Sequence, residues 1–227
     1  MKTIDIVIPT LNRLEKLKRT MKSIPAMQKL FVRVIFDGEY RAAKNQMKAL
    51  NAWHLSNGAG IAMGTSTLMA RHAGSVACRN SVTPLCMDGV LPATDDVVFR
   101  PGAFEKMLAQ FNERFPDDDG VLGVRQDREG HHPTGVCLVG QKFLQRYPGK
   151  LLYYPRYFHF AAQEIWWHAE TIKRFAITEE IMLDHFHPGF MKAEMDETHG
   201  ITASHRTMDH MIRNSRKVAG SIWGLDE

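Results

Sequence analysis

Cysteine is scarce in this chain, and what there is does not pair. Cys78, Cys86 and Cys137 are odd in number and include no C-x-x-C. That argues against a disulfide framework and a zinc knuckle. Long hydrophobic runs are also missing: no apolar stretch reaches the length of a membrane span. The opening MKTIDIVIPTLNR is interrupted by Asp5 and lacks the apolar length and cleavage site of a secretory leader. A reducing, cytoplasmic setting is the expectation. There is no G-x-x-x-x-G-K-[ST] and no G-x-G-x-x-G opening a helix, so P-loop and Rossmann cofactor chemistry lose support. G-x-S-x-G and H-E-x-x-H are absent as well.

What remains is ordinary globular material. Of 227 residues, 44% are hydrophobic and 24% charged, which excludes a disordered or collagen-like chain. The net charge of +4 is uneven. Residues 1–50 hold 11 Lys and Arg against 4 Asp and Glu, so the basic excess is local to them. Much of it falls on Lys16, Lys18, Arg19 and Lys22, which a helix would point to solvent. The pI is therefore weak support for a nucleic-acid partner.

Periodicity gives the order of elements. Ile4, Ile6 and Ile8 lie in a β-branched run ended by Pro9, a buried strand. Asn12 with Glu15 three residues later has the form of a capping box. Leu14, Leu17, Met21 and Ile24 then make a helical stripe. Leu30 to Phe36 is a second strand, closed by Asp37-Gly38. Strand, helix and strand in this order make a βαβ unit and a parallel sheet. Residues 56–75, rich in Gly, Ser, Ala and Thr, read as loop and short helix. Val90-Leu91 reads as a short central strand. Pro101, near the first helical position, opens a helix with Phe104, Met107, Leu108, Phe111 and Phe115 on one face. Val121 to Val124 is a strand, Gln163 to Phe175 a helix, Ile181 to Leu183 a strand, and 203–217 a helix.

Four groups have chemical potential. Asp95 and Asp96 follow the Val90-Leu91 strand, where parallel sheets bind ligands, and carboxylates there can hold a divalent ion. The plainer reading is an acidic pair before a helix N-terminus. His185 and His187 alternate on an extended segment and can face one ion, or be two surface histidines. Glu164 opens a helix, where it is a candidate general base or simply suits the helix dipole. Asp37 at the end of the second strand can bond a base or ribose, or form an Asp-Gly turn. The aromatic run Tyr153 to Phe158 reads as core or as a stacking surface.

Taken in order, these pieces resemble the family-two glycosyltransferases of the GT-A fold. The segment Ile4 to Arg13 is similar to that family's first strand and loop. Asp37 falls at its nucleobase-reading Asp, and Ala77-Cys78-Arg79-Asn80 resembles its "ARN" segment with Cys before Arg. Thr94-Asp95-Asp96 resembles its DxD-type metal motif, as DD rather than D-x-D, and Pro101-Gly102-Ala103 the start of the next helix. Gln163-Glu164 stands at its "ED" pair, with Glu for the usual Asp. His185-Phe186-His187-Pro188 resembles the segment that closes its metal site.

The resemblance implies an α/β GT-A fold, a mostly parallel sheet flanked by helices. It implies one domain over 1–227, with a nucleotide-sugar half to about residue 100 and an acceptor half and tail beyond. The implied activity is a metal-dependent inverting sugar transfer to an acceptor hydroxyl. Glu164 would be the base. Thr10, Asn12, Arg13, Asp37, Arg79 and Asp95 would hold the donor. Asp96 with His185 or His187 would hold Mn²⁺ or Mg²⁺. The acceptor stays open among a glycan, a small molecule and a nucleic acid. A nucleotidyltransferase and a non-catalytic nucleotide- or nucleic-acid-binding protein are the alternatives. The first would be expected to show a Gly-rich phosphate loop and a lysine near the N-terminus, which Pro9 to Arg13 does not clearly supply.

Overall fold

The computed structural model describes residues 1, 3–57, 62–69, 71–127 and 132–225. The first strand, β1 (Ile4–Thr10), is central. It pairs in parallel with β2 (Leu30–Phe36) on one side and β4 (Gly89–Pro92) on the other. β3 (Ala62–Leu68) continues the parallel set beyond β2. The other half contains β5 (Val97–Phe99), β6 (Val121–Gln126), β7 (Cys137–Val139) and β8 (Phe175–His185). The order across the eight strands is β3-β2-β1-β4-β7-β6-β8-β5. β6 and β8 run parallel, while β7 and β5 are antiparallel to their neighbours.

Strand alternation sorts the core into two layers. Ile4, Ile6 and Ile8 face one side with Leu17 and Met21 of α1 (Leu14–Lys22) and Leu50 of α2 (Tyr40–Asn57). Phe104, Met107 and Phe111 of α4 (Ala103–Arg114) complete that layer. Val7, Ile35, Val90 and Val139 face the other side. There they meet Val76 of α3 (Gly74–Asn80), Phe143 of α5 (Gln141–Leu144) and Ile165 of α6 (Ala162–Thr171). Helices on both faces explain why β1 is apolar almost throughout. Each fully buried Phe or Ile contributes roughly 1.5–3 kcal/mol relative to exposure. The last helix, α7 (Glu197–Val218), crosses beside the carboxyl ends of the parallel strands.

Several expectations are corrected. The stretch read as loop contains β3, while 58–61 and 70 lie outside the described residues. Asn12 caps nothing. It sits at φ 55, and its Oδ1 accepts from Gln46 Nε2 at 2.8 Å, while α1 starts at Leu14 without a side-chain cap. Pro101 lies two residues before α4, with Gly102 as N-cap at φ 73. The 163–175 helix ends at Thr171, because Phe175 already begins β8. The three cysteines are buried and unpaired by disulfide. Burial pushes their thiols up, Cys86 and Cys137 to about 12, so they are inert.

Candidate active site

The parallel strands end together, and a cleft of about 800 Å³ opens there. Its walls come from segments far apart in sequence: the end of β1, Asp37 after β2, the start of α3, Asp95-Asp96 after β4, the end of β8, and α7. Loops at carboxyl ends of parallel strands leave polar groups free to meet a ligand.

Asp95 and Asp96 are the buried charges at its base. Thr10 Oγ1 donates to Asp95 Oδ2 at 2.7 Å, and Arg13 Nη1 reaches Asp95 Oδ1 at 3.3 Å and Asp96 Oδ2 at 3.8 Å. Arg13 also clamps Asp196, with Nε to Oδ2 at 2.9 Å and Nη2 to Oδ1 at 2.6 Å. Burial, then the charge of Asp96, pushes Asp95 up to about 6. Burial works against the charge of Asp96 too. Contact with His185 and its charge outweigh that and hold Asp96 well below the usual carboxylate range. Burial and the neighbouring charges thus push the two carboxyls in opposite directions.

Three imidazoles gather around Asp96. His185 Nε2 is 3.2 Å from Asp96 Oδ1, and His199 Nε2 is 3.9 Å from Asp96 Oδ2. The His187 ring lies between them, 5.5 Å from His185 and 4.8 Å from His199 by centroids. Partners of the second ring nitrogen set the tautomers. His185 Nδ1 is 2.7 Å from Gln126 Oε1, an acceptor, and His199 Nδ1 is 2.7 Å from Asp196 Oδ1. His199 Nδ1 also accepts from Asp196 N at 3.3 Å, and His187 Nδ1 accepts from Gly189 N at 3.0 Å. Asp96 Oδ1 and His199 Nε2 are buried and make no well-formed hydrogen bond. A buried carboxylate oxygen and an imidazole nitrogen left without a well-formed hydrogen bond call for a positive centre, so these residues fit a divalent cation. Among the described residues no three His, Cys, Asp or Glu side chains are placed to hold a metal by themselves. Ligand oxygens would have to complete the set.

Asp37 lines the cleft, but its oxygens are engaged. Oδ1 accepts from Gly38 N at 2.9 Å and Ala73 N at 2.8 Å. Oδ2 accepts from Gly74 N at 3.0 Å and faces His72 Nε2 at 3.2 Å. Asp37 thereby pins α3 to the end of β2. From α3, Arg79 reaches the cleft and donates to Ala93 O at 2.9 Å. Asn12 does not line the cleft, since its left-handed turn aims it at α2.

Glu164, the candidate base of the sequence, does not line the cleft. It is 3% exposed and accepts from Tyr157 Oη, from Arg216 Nε at 2.9 Å, and from Trp223 N at 2.9 Å. Both oxygens are spent on anchoring the end of α7 and the segment after it. The aromatic run divides: Tyr153 and Tyr157 are core, while Phe158 lines the cleft.

A second chamber of about 800 Å³ adjoins the first and shares Arg79, Thr94, His159 and His185 with it. His159 stands at the seam, with Nδ1 2.9 Å from Ser75 Oγ. Burial first, then the Arg79 cation, pushes it down to about 3, so it is neutral at pH 7. Its backbone is held by Asp209 of α7, which accepts from the amides of Phe158, His159 and Phe160 at 2.8–2.9 Å. Sequence reading missed His159, His199, Asp196 and Arg213. The one available signal was Asp196 three residues before His199, which does form a capping box at the start of α7.

No known family profile and no curated protein matches the sequence. Solved structures do. S. aureus TarS residues 1–349 superposes with a TM-score of 0.59 at 13% identity, over 87% of this chain and 68% of that one. The mannosyltransferase PcManGT from Pyrobaculum calidifontis, in complex with GDP-Man and Mn²⁺, superposes with a TM-score of 0.62 at 10% identity. That match covers 80% of this chain and 56% of the other. At such identity the likeness is one of fold, and the α/β GT-A architecture is the shared feature.

Proposed function

We propose that the protein transfers a sugar from a nucleotide-sugar to an acceptor hydroxyl, with inversion at the anomeric carbon and with Mn²⁺. The observation behind this reading is the buried Asp95-Asp96 pair with the His185 and His199 imidazoles gathered on Asp96, at the carboxyl edge of a GT-A sheet. Asp96 and His185, with His187 or His199, would hold the cation. A mixed carboxylate and imidazole set suits Mn²⁺ better than Mg²⁺. When bound, the cation supplies charge neutralisation on the departing diphosphate. That one relative was solved with GDP-Man and Mn²⁺ is consistent with this set.

The chain's own residues do the rest. Arg13 and Arg79 hold the phosphates. Thr10 and Asp95 face the ribose, and Asp37 keeps the α3 loop against the nucleoside. We assign the acceptor proton to His159, whose neutral ring borders both chambers with Nδ1 2.9 Å from Ser75 Oγ. The acceptor oxygen bonds to the anomeric carbon as the bond to diphosphate breaks, and one base suffices for such a displacement. An incoming diphosphate raises the proton affinity of His159.

The test is thermal shift against UDP-, GDP-, CMP- and dTDP-sugars with Mn²⁺. A matching donor at 100 times its Kd adds about 2.7 kcal/mol, and Asp96→Ala should remove that stabilisation. Failure of every donor to stabilise the wild type would sink the reading.

A further inference from the structure

The second chamber has a charge pattern that donor binding does not explain. Arg79 from α3 and Arg213 from α7 both line it, with Gln126, Gln163, Tyr153 and Phe160, and its described lining contains no Asp or Glu. Arg79 is 6% exposed, and its Nε has no hydrogen-bond partner. Among the described residues neither arginine pairs with a carboxylate. A guanidinium stays charged at any working pH, so burial without an anion is costly. Elsewhere the chain answers its inward arginines: Arg13 has Asp95 and Asp196, and Arg216 has Glu164. Arg79 borders both chambers, so a donor diphosphate can reach one of its faces. Arg213 borders the second chamber and not the first.

We propose that the second chamber takes an acceptor bearing an oxyanion, carboxylate or phosphate, gripped between Arg79 and Arg213. This rests on the transfer reading, since it assigns the acceptor of that reaction. A guanidinium fork matches either anion with two parallel hydrogen bonds. Tyr153 and Phe160 give the apolar wall against which the rest of the acceptor packs. The amide side chains of Gln126 and Gln163 offer neutral donors and acceptors for its hydroxyls.

The test is calorimetric titration of the full chain, with Mn²⁺, by glucose 6-phosphate, glucuronate and glucose. At least one anionic probe should bind roughly tenfold or more tighter than glucose, as loss of a charged hydrogen-bonded pair implies. Arg213→Met should erase that preference and Arg213→Lys keep part of it, with nucleoside diphosphate affinity unchanged in both. Arg213→Gln replaces Arg213→Met if the latter does not fold. The better of the two anions names the class, phosphate or carboxylate. Equal binding of glucose and both anions, or a preference that survives Arg213→Met, overturns the proposal. Nucleoside diphosphate binding is titrated separately. If it is present without an anion preference, this inference alone fails. If it is absent, the transfer reading fails, whatever the anions do.

Discussion

Gly74 sits at φ +84, with Phe158 packed against it. A Cβ there would stand 2.7 Å from the Phe158 ring and from its carbonyl oxygen. Both strain and crowding therefore resist a side chain. Gly74→Ala should cost about 2 kcal/mol, a fall in Tm of about 4–8 °C for a chain this size, read by scanning calorimetry. An unchanged Tm would show that Phe158 moves freely. The buried histidines make a second prediction. His159, at about 3, and His199, at about 4, are pushed down chiefly by burial, against about 6.5 when unfolded. Below that value the unfolded chain takes protons that the folded chain refuses, so these groups remove stability as pH falls from about 7 toward 4. Asp95, raised to about 6, works the opposite way over part of that window. The measurement is therefore a difference: urea midpoints of wild type and His159→Gln between pH 7 and 4. The variant should lose less stability across the window. Parallel curves would sink the burial argument.

At the scale of elements, α7 ties the structure together. Asp209 holds three backbone amides of the 158–160 segment, and Arg216 meets Glu164. Hydrogen bonds to a charged acceptor each contribute about 1.5–3 kcal/mol. Asp209→Ala should lower stability by several kcal/mol and weaken nucleotide binding, since Phe158 and His159 lose their anchor. Glu164→Gln should lower Tm while sparing transfer in the folded fraction. Lost transfer at an unchanged Tm would instead return the base to Glu164. The legible elements share one property, a strong apolar pattern. The β-branched runs of β1 and β2 and the Phe-rich face of α4 announce themselves. In α2, Ala43, Met47, Leu50 and Trp53 recur at helical spacing, so this helix too is legible. β3 is an edge strand of sequence AMGTSTL, without a β-branched apolar run. β5 and β7 are three residues each, too short to show a period. Asn12 and Glu15 have the spacing of a capping box, yet a tertiary bond to Gln46 overrides it. In the site, Asp37, Asp95, Asp96 and His185 follow strand ends and are readable. His199 and Arg213 arrive on a distant helix, and no local pattern links them to β4.

At the scale of the molecule, the basic excess of the first 50 residues is a matter of where its partners lie. Lys16 bonds Asp196 at 2.6 Å, and Lys18 bonds Glu15 at 2.6 Å. Arg19 covers the Phe186 ring at 4.0 Å, and Arg33 pairs with Asp5. These four cations thus meet acidic residues or a ring, while Lys22, Lys29, Arg41, Lys44 and Lys48 stay exposed, Lys22 as the sequence suggests. That partial neutralisation argues against a strong nucleic-acid-binding face on the first helix. Nonspecific duplex binding at physiological salt has Kd values of roughly 10⁻⁴–10⁻⁶ M and needs several unpaired cations on one face. Here binding to a duplex oligonucleotide, read by fluorescence anisotropy at 50 and 200 mM salt, should be weaker than about 10⁻⁴ M at the higher salt. A steep salt slope with micromolar affinity at 200 mM would mean that the ion pairs with Asp196 and Glu15 open readily. The N-terminal half would then have a second partner in solution. A flat, weak response places the charge where the structure places it: clamping the first helix to the segment that closes the cleft, so that Arg13 is held rigidly between Asp95 and Asp196.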